Sequence, residues 1–149
     1  MKTIFDKTSH DELLERLAKL EISSERRWGK MSPAQMMEHV ARALDLASGR
    51  VVVKQSFIGK LLSWMVMKKF LGDGPVPKGA PTSRAFRVDD EPNFETTHAR
   101  LLELITEFHK EGESAAEGRV HRFFGPLTGK QWGETQYKHV DHHLRQFGI

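Results

Sequence analysis

The sequence predicts an all-α chain of four or five helices, most economically a four-helix bundle with one long crossover connection. Three observations carry that expectation. Apolar residues recur at helical spacing in stretch after stretch, and two of those stretches open on matched start signals, Ser32-Pro33 with Gln35 and Thr128 with Gln131. No stretch alternates as a half-buried strand must, apart from the short Val51 to Val53 run, which has no evident partner.

In chain order, Ser9 with Glu12 forms a capping-box pattern ahead of Leu13, Leu14, Leu17 and Leu20, which draw one stripe on a first helix ending near Ile22. The loop SSERRWGK follows. Ser32 then caps a second helix, Pro33 sits just inside it, and Met36, Met37, Val40, Ala43, Leu44 and Ala47 supply its buried face up to Gly49. A third helical stretch runs from about Ser56 to Leu71, with Leu61, Leu62, Met65, Val66 and Phe70 in register. The next segment, GDGPVPKGAPTSRAFRVDDEP, is too rich in Gly and Pro to be regular and reads as the crossover. Pro92 or Asn93 opens another helix, with Phe94, Leu101, Leu104, Ile105 and Phe108 in register, and EGESAAEG should end it. The last helix is capped by Thr128, and Tyr137, Val140, Leu144 and Phe147 form its apolar stripe.

A chain of 149 residues fits one domain, here read as residues 1–149, and a domain of that size buries roughly 70% of the surface its unfolded chain exposes. There is no cysteine, so disulfides, thiolate ligands and a cysteine nucleophile are excluded, and any metal must be held by nitrogen and oxygen. The start, MKTIFDKTSHDELLERL, lacks an apolar signal region, which points to the cytoplasm. The longest apolar run, FIGKLLSWMVMKKFLG, is broken by Lys60 and closed by Lys68 and Lys69, short of the roughly 20 residues a span needs. Its Trp64, Met65, Met67 and Phe70 are expected to pack as a bundle helix and not to meet a membrane. A net charge of +3, spread among 20 acidic residues, gives no basic tract for nucleic acid. Arg26, Arg27, Trp28 and Lys30 suggest an anion site before the second helix, but packing of Trp28 on the bundle end with solvated arginines is the plainer expectation.

The chain ends in KHVDHHLRQFGI, with His139, His142 and His143 within five positions. At roughly 100° per residue, His143 lies about 40° from His139, on the side of Trp132 and Gln136, while His142 lies about 60° away on the other side. His142 should therefore face solvent, and His139 with His143 should flank the buried stripe. Two imidazoles one turn apart can converge on one metal, although paired histidines on a helix also serve simply as hydrogen-bonding groups. A third ligand is needed. His39 stands next to the apolar face of the second helix, so three histidines from two helices can all face one interior.

The segments WGKMSPAQMMEHVARALD and FFGPLTGKQWGETQYKHVDHHLRQFGI resemble the two signature blocks of the DinB-like (YfiT-type) metal-binding four-helix bundles, in particular a branch of unknown function that ends in a similar HHLRQFG run. The blocks cover about a third of the chain, and helix number and order agree over the rest. That resemblance implies a divalent metal, nickel or zinc, with His39, His139 and His143 as ligands and water in the open positions. It also implies a small-molecule substrate, and the pairing of such bundles implies a homodimer. One departure stands out: the chain reads HRFFG from His121, where the family often has proline directly after the histidine, which leaves the place of His121 near the pocket open.

Three neutral imidazoles leave a metal its full charge and open positions, the arrangement of a catalytic site. Relatives in the superfamily activate a low-molecular-weight thiol, and in a chain without cysteine that thiol would be a cosubstrate of a metal-dependent S-transferase or hydrolase. Gln136, Trp132 and His121 are candidate pocket residues. Glu38 and Asp141 are also near in sequence, but each is adjacent to a ligand and should point away into solvent. The other expectation is a non-catalytic bundle in which the metal ties two helices together or the pocket holds a small ligand.

Overall fold

A computed structural model of the chain describes residues 1–52, 74, 76, 78 and 86–149. The expected helix from 56 to 71, its Trp64 to Phe70 segment and most of the crossover lie outside the described residues. Four helices make up the described part, α1 (Lys7–Leu17), α2 (Pro33–Ala47), α3 (Phe94–Ala116) and α4 (Gly129–Gln146), in an all-α bundle. A minimal hairpin, β1 (Val120–His121) with β2 (Gly125–Pro126), joins α3 to α4.

The start signals of α2 and α4 work as the sequence suggests. Ser32 and Thr128 each accept a hydrogen bond from the backbone of the glutamine three positions on, whose side chain answers to the cap backbone, so two orphan donors are met at each end. The first helix begins earlier than expected. Asp6 is its cap, and the carboxylate takes both the backbone N–H of Ser9 (2.9 Å) and its hydroxyl (3.0 Å), which turns the expected cap into the third helical residue. It also ends at Leu17, although Leu20 remains buried beyond it.

Asn93 caps α3 as expected, and the helix ends inside the EGESAAEG stretch, at Ala116, after passing its first glycine. Gly112 takes φ +78 and ψ 171, a conformation open to glycine, and the chain resumes helix to Ala116, whose side chain is fully buried. Burial of Ala116 holds the second segment against the core. The hairpin was missed because two residues per strand leave no alternation to read, and Val51 and Val52, where a strand was conceivable, are exposed and form none.

Helix α2 packs on α3 and α4, and α1 covers the other side against the same two. Leu13, Leu17, Met36, Met37, Leu44, Leu104, Ile105, Phe108, Trp132 and Leu144 are among the residues that close one continuous core. Trp132 is completely enclosed, and its indole N–H donates to Arg119 O at 3.0 Å, so this large side chain is buried with its one polar group satisfied. Truncation of Trp132 to Ala should cost about 3–5 kcal/mol in urea unfolding. Ile22→Ala, at a site 68% exposed, should stay within about 0.5 kcal/mol. Equal losses at the two sites would mean that the core is not centred where described.

Candidate metal centre

The capping box at Ser32 starts α2, and burial of its apolar stripe turns His39 inward beside Met36 and Val40. The stripe of Tyr137, Val140 and Leu144 does the same for α4, and His139 and His143 flank it on the side that meets His39. Ring centroids lie 5.0 Å apart for His39 and His139, and 4.8 Å for both His39 with His143 and His139 with His143. One nitrogen from each of the three falls within 4.8 Å of the others. Among the described residues, no fourth His, Asp or Glu joins that cluster.

The second nitrogens explain the orientation. His39 Nδ1–H donates to Phe86 O at 2.8 Å, since a carbonyl can only accept, and this leaves the Nε2 lone pair directed at the cluster, 3.0 Å from His139 Nε2. His143 Nδ1 pairs with Gln146 Oε1 at 3.0 Å, which frees its Nε2 in the same way. Gln146 is in turn pinned, because its Nε2 donates to Trp28 O at 2.8 Å. Two of the three imidazoles are thus held as neutral tautomers by protein acceptors, the outer support that metal-ligating histidines ordinarily receive.

Burial keeps the rings neutral. It lowers the pKa of His39, and it lowers that of His143 to about 3. His139 falls well below the ordinary histidine value, first through desolvation and then through the neighbouring His143 and His39. The donor set fits a divalent ion. A tetrahedral ion with nitrogens at ~2.0–2.1 Å holds them roughly 3.3 Å from one another, so small side-chain shifts would close the cluster.

The expected trio is the one that the fold brings together. His142 departs from expectation: it is half-buried, its ring 5.1 Å from His143 and 5.9 Å from Trp28, because the loop before α2 folds over that side of α4. Glu38 and Asp141 are not solvated either. Glu38 pairs with Arg42 and Arg100, and Asp141 with Arg16 and Arg145, so both carboxylates are already engaged. Gln136 is 3% exposed, with its Oε1 enclosed and, among the described residues, without a hydrogen-bond partner. Trp132 contacts His121 at 5.3 Å between ring centroids.

His121 stacks on Phe124 at 4.4 Å, and its Nδ1 accepts from the backbone N–H of Phe123 (3.2 Å) and Phe124 (3.3 Å). Its proton must therefore sit on Nε2 when the ring is neutral, and burial lowers its pKa to about 4. It is close enough to His139 to contribute to the lowered pKa there. The supports Gln146 and Phe86 were not foreseen. Gln146 follows His143 by three positions, a readable helix-face spacing, whereas the Phe86 carbonyl carries no side-chain signal.

The sequence model of a family described as "Protein of unknown function (DUF1569)" matches residues 2–148. The chain belongs to this family. Comparison with curated proteins and with solved structures gives no match. The DUF1569 description carries no activity, so the chemistry must be read from the three-histidine cluster itself.

In chelated protein, the buried neutral rings make stability depend on pH. The folded pKa values of about 4 for His121 and about 3 for His143 lie below the ~6.5 of an unfolded chain, so the unfolded state takes up protons first on acidification. This stability is complete above about pH 6.5 and is lost as pH falls toward 4 and 3, at up to about 1.4 kcal/mol per pH unit for each ring. Urea unfolding with EDTA at about pH 7 and about pH 5 should show the loss, and His121→Gln should reduce it. A stability independent of pH in that window would contradict the buried neutral state.

Proposed function

We propose that the chain is a metal-dependent enzyme of the DinB-like bundle type, in which His39, His139 and His143 hold one divalent ion, nickel or zinc. The observation that carries this reading is the cluster of three buried imidazoles, two of which, His39 and His143, have their outer nitrogens fixed by Phe86 O and Gln146. Support for catalysis comes from the donor count, since three protein ligands leave open positions that a closed structural site would fill. Bound there, the ion supplies Lewis acidity, which lets a coordinated water or thiol lose its proton near neutral pH.

The protein's own share is orientation and exclusion. Helices α2 and α4 present the lone pairs, and the surrounding core strips water from the imidazoles and keeps them unprotonated. With no cysteine in the chain, a thiol nucleophile enters as a low-molecular-weight cosubstrate, for S-transfer to a small electrophile or for thiol-assisted hydrolysis. The setting is cytoplasmic, with no nucleic acid or membrane as partner, and the pairing of related bundles makes a homodimer the working assembly. Among the described residues, no helix is long and apolar enough to cross a membrane.

Elemental analysis of tag-free protein, purified without added metal, should find near-stoichiometric nickel or zinc in the native chain and in His142→Ala, and almost none in His143→Ala. The metal-loaded protein should then turn over a thiol with one of a panel of electrophiles or esters. If metal is present but the loaded protein turns over none of the electrophiles or esters, with or without a thiol, the catalytic reading fails and the ion ties α2 to α4, with a sharp fall in melting temperature on chelation.

A further inference from the structure

Beside the three-histidine centre lies a cavity of about 480 Å³, within the range of small-molecule sites. Arg27, Trp28, Lys78, His142 and Arg145 line it, together with the Gly148–Ile149 end of the chain. Three cations converge there, and among the described residues no acidic side chain lines the wall. Arg145 is partly engaged, its Nε donating to Asp141 at 2.9 Å, and Arg27 Nη2 donates to Gly148 O at 3.3 Å. Among the described residues, neither Arg27 nor Lys78 has a carboxylate at ion-pair distance. The Lys78 ammonium instead stands 4.3 Å over the Trp28 ring. Like charges gathered in a recess repel one another, and a bound anion relieves that repulsion.

The loop that carries Arg27 and Trp28 is tied to the metal centre. Gln146, which orients His143, donates to Trp28 O and accepts the backbone N–H of Arg27 at 2.7 Å. That approach is close enough to require glycine next to Trp28: a Cβ on Gly29, which has φ +86, would lie 2.2 Å from Gln146 Nε2. His142 forms the partition, with its ring against Trp28 on one side and His143 on the other.

We propose that this cavity is an anion subsite that takes the carboxylate or phosphate of a small molecule, whose organic part crosses His142 to the three-histidine centre. The anion site stands by itself, and only the reach to the centre rests on the metal reading. Inorganic phosphate and succinate, titrated separately into tag-free protein at constant ionic strength, should change tryptophan fluorescence saturably for at least one of the two. The anion that binds identifies the headgroup, and Trp28→Phe should remove the signal. The double variant Arg27→Gln/Arg145→Gln, altered at two exposed side chains, should weaken binding about tenfold or more. Native protein stripped of metal with EDTA should still bind the anion, which separates this site from the metal reading. No saturation with either anion, or equal affinity in native and double variant, overturns the subsite. In cobalt-loaded protein the binding anion should shift the visible spectrum, and an unshifted spectrum would overturn the reach to the centre.

Discussion

Three imidazoles in one bundle interior are permissible only if every ring is neutral and every nitrogen has a partner, because an unpaired polar group buried in a core costs on the order of 1–3 kcal/mol. That constraint organises this end of the molecule. Phe86 O and Gln146 take the outward protons of His39 and His143, so the remaining lone pairs can only meet one another or a cation. His39 and His139 already stand at 3.0 Å, the contact of one shared proton. One divalent ion satisfies all three rings at once, where hydrogen bonding within the cluster cannot, since three lone pairs need three protons.

The supports also tie the site to the rest of the chain. Gln146 connects His143 to the loop before α2, and through Trp28 O that loop is drawn across the end of α4. The backbone segment at Phe86 is fastened to α2 by the same kind of bond, and Arg42 adds a second tether to Arg87 O at 2.6 Å. Segments distant in sequence therefore depend on the orientation of two rings. Disturbance of the cluster should reach both the loop and the end of the crossover at Phe86 and Arg87.

Much of this was legible in local sequence, for physical reasons that differ by residue. Ser32 with Gln35 and Thr128 with Gln131 are short-range signals that mark where α2 and α4 begin, and the apolar stripes that follow set the inward turn of His39, His139 and His143. Asp6 was overlooked in favour of Ser9 because both can cap, and the carboxylate won by binding the Ser9 backbone and hydroxyl together. The EGESAAEG stretch does end α3, and burial of Ala116 explains why the end falls past Gly112 and not at it. His142 was assigned to solvent by helix phase alone, which says nothing of a loop that folds over from far away. Phe86 O carries no residue-type signal, and although Arg26, Arg27, Trp28 and Lys30 suggest an anion site, Lys78, His142 and Arg145 join Arg27 and Trp28 only through long-range placement.

X-ray absorption on tag-free protein loaded with a single equivalent of nickel or cobalt tests the central claim most directly. The account predicts three imidazole nitrogens at ~2.0–2.1 Å, with the remaining positions filled by light solvent atoms and one imidazole lost in His39→Ala. A spectrum with one imidazole or none, or one unchanged by His39→Ala, would contradict it and leave the three histidines as a hydrogen-bonded cluster.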